Sequence, residues 1–391
     1  MRILHLVSVW GTGGVKGQVR SVAERMAAQG HELSIAVLRY SEDESVSRSP
    51  VPVVQLCEKK TILEAFRAFH RARKLVRSFR PDVVHCHSFH ANVFGRLLRL
   101  IVKIPYLVST FHTSVRAANT DDGGWGYMLT YRATDWLSDI STNVSRESSE
   151  SFVTAGAVPR KKIVTVYDGI DIEKFVLESG ARKRMRSELS LDESMFVWLA
   201  VGRLCLQKDY PNLLRAFQRV AEKAPKSVLL VVGDGSLRED MEKQVRELHL
   251  QEQVRFLGVR SDVPLLMAGA DGYVLSSAWE GFPNVVAEAM ASGLATVATD
   301  SGGVAEMVGD TGWLVPPHNS EALSSKMLEV FGLEERSRIA IGKKAQARVS
   351  SLYSLSRCCD VWLALFSRRV KSSDEVSQGD QRCLPGDHAG K

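Results

Sequence analysis

The chain has 391 residues, is 45% hydrophobic and 25% charged, and carries a formal net charge of +6. That length exceeds one ordinary core and points to two domains of about 180 residues each; the composition excludes a disordered or fibrous chain, and no apolar run of about 18 residues is present to cross a bilayer. The six cysteines, at positions 57, 86, 205, 358, 359 and 383, show no Cys-x-x-Cys spacing, which argues against zinc or a disulfide framework and fits a reducing cytoplasm.

The opening residues 3–7 are apolar but run straight into Gly11 and Gly13. They read as a buried first strand and not as a signal peptide. Further strands are expected at 33–38, 83–85, 106–110, 139–143 and 163–166, with amphipathic helical stretches at 15–29, 61–79 and 91–102. Strands alternating with helices argue for a parallel sheet covered on both faces. The patch 177–195, rich in charge and serine, reads as a connection. The same rhythm then resumes, with strands expected at 196–201, 228–232, 254–257, 273–276, 295–299 and 313–315. Residues 353–370 look helical with one apolar face, and the Ser-, Asp-, Gln- and Gly-rich stretch from 371 to 391 reads as a disordered tail.

Ligands of open parallel sheets bind at the carboxyl ends of the strands, and every notable motif follows a predicted strand. Gly11-Thr-Gly13-Gly14 follows the first and can offer backbone N–H groups to a phosphate or simply make a tight turn. Gly202-Arg203, with Lys208 five residues beyond the arginine, places two cations where they can converge on a diphosphate. The most informative stretch is Glu280-Gly-Phe282-Pro283-Asn284-Val-Val-Ala-Glu288. Pro283 and Asn284 suit the first turn of a helix that Gly293 closes. Glu280 then lies in the loop and Glu288 one to two turns into an almost uncharged helix. Carboxylates so placed can accept from sugar hydroxyls, both oxygens serving one vicinal diol. His112 follows the strand at 106–110 and reads about equally as structural or functional. His85, His87 and His90 match no zinc-ligand spacing, so no metal is expected there. No Asp-x-Asp occurs, so a metal–diphosphate clamp of that type is missing from the sequence.

Taken together these segments resemble the retaining glycosyltransferase family four with the GT-B fold: two Rossmann-like parallel-sheet α/β domains facing across a cleft. The likeness covers about residues 1–370. It rests on Glu280-x7-Glu288, Val-Gly-Arg203 with Lys208, Gly233-Asp-Gly235, Phe256-Leu257-Gly258, Asp168-Gly-Ile-Asp171 with Phe175, Ser301-Gly-Gly303 and Gly312-Trp-Leu-Val-Pro316, in that family's order. The resemblance implies an acceptor-side domain over 1–176, a nucleotide-sugar domain over 177–352, and a helix at 353–370 crossing back to the first domain. It implies that Arg203 and Lys208 bind the donor diphosphate, Glu288 holds the ribose diol and Glu280 contacts the transferring sugar. Backbone groups around Phe282, Pro283 and Asn284 would lie near sugar and phosphate, and Leu257 against the base. His112 would touch the donor sugar, and Gly14 would approach the phosphate or acceptor. Lys16 stands where the family often has an acid, and Asp168 where Asn is common.

The expected activity is therefore hexosyl transfer from a nucleotide diphosphate sugar, UDP before GDP, with retained anomeric configuration and no cofactor or metal. The rivals are a nucleotide-sugar epimerase of the same fold, an NADP-dependent oxidoreductase resting on Gly11-x-Gly13 and Arg39, and a sensor that binds donor without turnover. Residues 1–175 hold 24 Lys and Arg against 17 Asp and Glu, the remainder 27 against 28. Much of the excess lies on two amphipathic segments. In 61–80, Ile62, Phe66, Phe69 and Val76 recur beside Arg67, Arg71, Arg73, Lys74, Arg77 and Arg80; in 92–103, Leu97, Leu98, Leu100 and Ile101 run beside Arg96, Arg99 and Lys103. These imply an anionic membrane surface as partner, not nucleic acid, with docking on the inner face and a lipid-linked or growing glycan acceptor.

Overall fold

The computed structural model describes residues 1–10, 14–40, 49–58, 61–115, 124–176 and 178–370. Gly11, Gly13, Cys383 and the tail at 371–391 lie outside the described residues. Two all-parallel sheets form. The first is built from β1 (Arg2–Trp10), β2 (Glu32–Tyr40), β3 (Val53–Gln55), β4 (Val83–His87), β5 (Tyr106–Thr110), β6 (Ile140–Asn143) and β7 (Ile163–Thr165), in the order β3-β2-β1-β4-β5-β6-β7. The second is built from β8 (Phe196–Val201), β9 (Ser227–Val232), β10 (Val254–Phe256), β11 (Gly272–Leu275), β12 (Ala295–Thr299) and β13 (Trp313–Val315), in the order β10-β9-β8-β11-β12-β13.

The apolar runs are continuous because each sheet is covered on both faces. In the first, Ile3 and Val7 pack under the helices Gly14–Ala28 and Leu355–Val370, while Leu4 and Leu6 pack under Ile62–Phe79 and Phe89–Leu98. β4 runs two residues beyond its expected end, because its ladder with β5 continues through Cys86 and His87. β3, unforeseen, is only three residues long, too short to show a period.

The chain returns to the first sheet at its end. Ile170 pairs with Ser354 as a parallel bridge, and the helix that follows buries Leu355, Cys358, Cys359, Trp362 and Phe366 in the first core. Each fully buried large side chain contributes about 1.5–3 kcal/mol, enough to hold this crossing in place.

Three expectations are corrected. The stretch 177–195 is not merely a connection: Ala181–Glu188 is helical, because Ala181 is buried, Met185 packs into the second core and the guanidinium of Arg186 is buried on partners. Phe66 is 70% exposed; ten residues from Val76, it sits about 80° away from it around the helix, while Ala68, Ala72 and Val76 take the inward face. Ile62 lies in a side-chain position outside the description. Arg96 does not join a solvated basic face: it is fully buried and donates to Ser109 Oγ, Tyr131 O, Thr134 Oγ1 and Ser141 Oγ. Among the described residues no helix is long and apolar enough to cross a membrane.

Candidate active site

Strand order reverses between β1 and β4 in one sheet and between β8 and β11 in the other. Such switch points open crevices at the carboxyl ends. The residues singled out by sequence gather there. Gly14, exposed, opens the helix after β1 and Leu257 follows β10; His112 follows β5, the Arg203–Lys208 loop follows β8 and Glu280 follows β11.

On the second sheet the loops after β8 and β11 are stitched together. Lys208 Nζ donates to Glu280 Oε1 at 2.6 Å, Ser277 Oγ to the same oxygen at 2.6 Å, and Gln207 Nε2 to Oε2 at 3.3 Å. Lys208 does not stand free beside Arg203, as the spacing suggested; its charge is paired with the buried Glu280 carboxylate. Arg203 is exposed at the mouth. Two glycines make the close approach possible. A Cβ on Gly302, at φ +62°, would stand 1.9 Å from Glu280 O, and one on Gly233, at φ +129°, 2.1 Å from Gly202 O. The Ser301-Gly-Gly303 and Gly233-Asp-Gly235 motifs thus support the Glu280 and Arg203 loops from behind.

Glu288 sits half-buried on the helix Asn284–Ala291, and burial pushes its carboxyl up to about 7 against the opposing charge of Lys174. Phe282 turns its ring into the second core beside Tyr167 and Tyr353. Pro283 precedes the helix and has no N–H to offer, and the N–H of Asn284 is donated to Phe282 O at 3.0 Å. The Asn284 side chain also reaches across, giving its amide to Asp168 Oδ2 at 3.2 Å.

The two halves meet at close range. A Cβ on Gly281 would lie 3.0 Å from His112 O. Glu306 accepts the backbone N–H groups of Arg146 and Glu147 at 3.1 and 3.0 Å, at the start of the helix Arg146–Thr154, and the Tyr167 hydroxyl at 2.9 Å. A carboxylate at a helix N-terminus is a favourable pairing, here formed between domains.

His112 holds φ +60° with its side chain 5% exposed. Its Nε2 lies 3.0 Å from His87 Nδ1, and its Nδ1 faces Asp168 Oδ1 at 4.0 Å. Burial pushes Asp168 up to about 7, its bond from Asn284 acting the other way. The ring nitrogens are thus turned to protein groups and not to open cleft. His85 and His87 associate not with His90 but with His5, across the β1–β4 ladder; sequence spacing missed it because His5 lies some 80 positions away. The three imidazoles bring ring nitrogens within 4.8 Å of one another, but His87 spends both on His5 and His112.

The comparisons agree with this architecture. The family model described as glycosyltransferase family 4 matches residues 12–174, and that described as glycosyl transferases group 1 matches residues 181–348. The chain is 25% identical over 338 residues to an Escherichia coli UDP-Gal:alpha-D-GlcNAc-diphosphoundecaprenol alpha-1,3-galactosyltransferase, covering 80% of this chain and 84% of that one. It is 27% identical over 281 residues, 70% of each chain, to a Campylobacter jejuni N-acetylgalactosaminyltransferase acting on N-acetylgalactosamine-N,N'-diacetylbacillosaminyl-diphospho-undecaprenol. Among solved structures, Anabaena HepE in complex with UDP superposes with a TM-score of 0.83 at 22% identity, over 94% of this chain and 100% of that one.

Proposed function

Because the chain belongs to the glycosyltransferases of the GT-B fold, with one family model on each half, we propose that it moves a hexose-type sugar from UDP to a lipid-linked or growing glycan acceptor with retention of configuration. The observation that carries this is the convergence of Arg203, the Lys208–Glu280 pair and Glu288 at the switch point of the second sheet. Diphosphate entering there recruits Lys208 from Glu280, freeing a carboxylate for a sugar hydroxyl. As the bond from C1 to the phosphate oxygen breaks and the acceptor oxygen bonds to C1, the leaving phosphate takes the acceptor proton. The two cations neutralise the charge that develops. Relatives whose names specify a UDP sugar and undecaprenyl diphosphate acceptors support this donor and acceptor class.

Thermal melting tests the reading. A nucleoside diphosphate that binds only the folded state adds about 2.7 kcal/mol at a hundredfold excess over Kd, a rise of about 5 °C or more for domains of this size. UDP should give the largest shift and GDP less, and the UDP shift and the transfer rate should survive EDTA, since two side-chain cations take the place of a metal clamp. A shift with NADP and none with any nucleoside diphosphate would overturn the proposal.

Glu288 makes donor affinity pH-dependent. Its carboxyl is held protonated up to about 7, whereas accepting from both hydroxyls of a diol requires the anion. Between pH 8 and pH 6 nucleotide affinity falls by about tenfold, because one pH unit below the folded pKa leaves about a tenth ionised. The diphosphate itself titrates near pH 6, equally for every variant. Calorimetry on wild type and Glu288→Gln separates the two: the variant binds more weakly at pH 8 and loses only the ligand's own part. The stability linkage has a definite sign: with the folded pKa raised, the contribution from this group falls as pH rises from about 4.5 to 7.

The acceptor class implies a membrane. On the helix Ile62–Phe79, Leu63, Phe66, Arg67, His70, Lys74 and Arg77 share the outward face. Phe69 stacks on Phe94 of the neighbouring helix at 4.2 Å, and Leu100, Ile101, Leu129 and a 71%-exposed Trp136 are further exposed apolar side chains of this domain. Basic groups near an anionic leaflet contribute about 1 kcal/mol each, and interfacial Trp is a common anchor. Vesicles containing anionic lipid should co-sediment the protein, neutral vesicles should not, and salt or Lys74→Ser with Arg77→Ser and Trp136→Ser should release it. Equal recovery with both vesicle types would favour a soluble acceptor.

A further inference from the structure

His5 on β1 and His87 on β4 lie on the face of the first sheet covered by the helix Leu355–Val370, directly below that sheet's switch point. Their rings form a line. His5 Nδ1 is 3.0 Å from His87 Nε2, and His87 Nδ1 is 3.0 Å from His112 Nε2. The far end, His112 Nδ1, faces Asp168, which Asn284 binds from the second domain. The relay therefore starts in one core and ends at the donor-side helix.

A neutral imidazole has one donor and one acceptor nitrogen. Burial brings His5 down to about 4 and His112 to about 3, and His87 well below the usual imidazole range. All three are neutral at pH 7, so only two arrangements satisfy both hydrogen bonds. In one, His5 Nδ1–H donates to His87, His87 Nδ1–H donates to His112, and His112 carries its own proton on Nδ1, toward Asp168. In the other every proton moves to Nε2 and the outer N–H is that of His5; neither His5 Nε2 nor His112 Nδ1 has a hydrogen-bond partner among the described residues, but His112 Nδ1 has Asp168 Oδ1 4.0 Å away. Each arrangement thus leaves one outer N–H without a hydrogen bond, so the charge beside that N–H decides between them. An ionised Asp168, 4.0 Å from His112 Nδ1 and able only to accept, favours the first arrangement.

We propose that His87, backed by His5, is a positioning residue that locks His112 as the Nδ1–H tautomer facing Asp168, and so holds the domain-one loop after β5 against the donor-binding domain. His112 needs this support: it occupies left-handed backbone that non-glycine residues seldom adopt, and its carbonyl abuts Gly281. The groups facing the relay are His85 alongside on β4, the Trp362 ring on the covering helix at 4.3 Å from His85, and Cys358, whose thiol is raised by burial first and by the charge of Asp168 second. None offers a competing cation. His85 Nε2 has its own partner, Thr110 Oγ1 at 2.7 Å, while His85 Nδ1 has none among the described residues.

The kinetic part rests on the transferase reading; the tautomer part does not. Long-range nitrogen–proton correlation spectra of the full chain with labelled histidines, at pH 8, should show His112 protonated on Nδ1. In His87→Phe that signal becomes a mixture and kcat falls about tenfold at unchanged donor KM, while His87→Gln, whose amide can still donate to His112 Nε2, restores both. Nε2–H at His112 in the wild type would overturn the proposal even if His87→Phe fails to fold. A folded His87→Phe with wild-type kcat and an unmixed tautomer would overturn it as well. No transfer by any variant or the wild type, with the predicted tautomer present, would instead count against the transferase assignment.

Discussion

Arg203→Ala should lower kcat by about two orders of magnitude with little change in melting temperature, and Lys208→Ala should lower both. Removing one charged contact to a leaving group costs about 2.7 kcal/mol or more of transition-state stabilisation, which is about a hundredfold in rate. The two variants differ in what they leave behind. Arg203 is exposed, so its loss disturbs nothing in the fold. Lys208 is 2.6 Å from a Glu280 side chain that is only 6% exposed; without it that carboxylate keeps Ser277 and Gln207 but no counter-charge. Breaking one partner of a buried pair is strongly destabilising because the other charge remains. Adding Glu280→Gln to Lys208→Ala should recover the melting temperature but not the turnover. Initial rates at saturating donor, with melting curves for each protein, check this. Wild-type turnover in Arg203→Ala would remove it from the diphosphate site.

Asp271→Ala should cost about 3–5 kcal/mol of stability, the range for an uncompensated buried charge, and lower the melting temperature by about 10 °C. Asp271 Oδ2 accepts from Arg186 Nη2 at 2.6 Å and from the N–H of Val197 at 2.8 Å, while Oδ1 takes Arg182 at 2.8 Å. Arg182 is half-exposed and adds little. Arg186 is 1% exposed; the carbonyls of Gly269, Asp192, Glu193 and Met195 cannot neutralise it, and the Glu193 carboxylate, 3.9 Å from Arg186 Nε and 66% exposed, is screened by solvent and compensates little. Asp271→Asn keeps an acceptor and should cost less than Asp271→Ala. The contact ties the helix Ala181–Glu188 to the amino ends of β8 and β11, away from the catalytic end, so the fraction still folded at 25 °C should turn over normally. Urea unfolding by two probes measures the loss; an unchanged midpoint would mean Arg186 is neutralised by other means.

Much of the architecture was legible because it is local. β-branched runs alternating with amphipathic helices require buried parallel strands, and the glycine-rich and charged segments beyond each strand mark where such sheets bind ligands. β5, β8, β12 and β13 fall at their expected residues, as local pattern and tertiary environment agree there. Glu280, Glu288 and Arg203 were visible as carboxylates and a cation in settings that rarely keep them idle. What stayed hidden depends on partners far away in the chain. Phe66 and Arg96 exchanged their expected roles because helix phase against a sheet, and hydrogen-bonding groups on β5 and β6, decide which side is buried. Lys208 meets Glu280 across 72 residues, His5 meets His87 across 82, and Asp168 meets Asn284 across 116. Sequence by itself determined the two sheets, their ligand-binding ends and the residue types available for chemistry. Tertiary structure alone decided which charges are already paired, which imidazoles form a line and which protons they carry, because pairing energies and desolvation are set by distances and burial between segments that the local pattern does not connect.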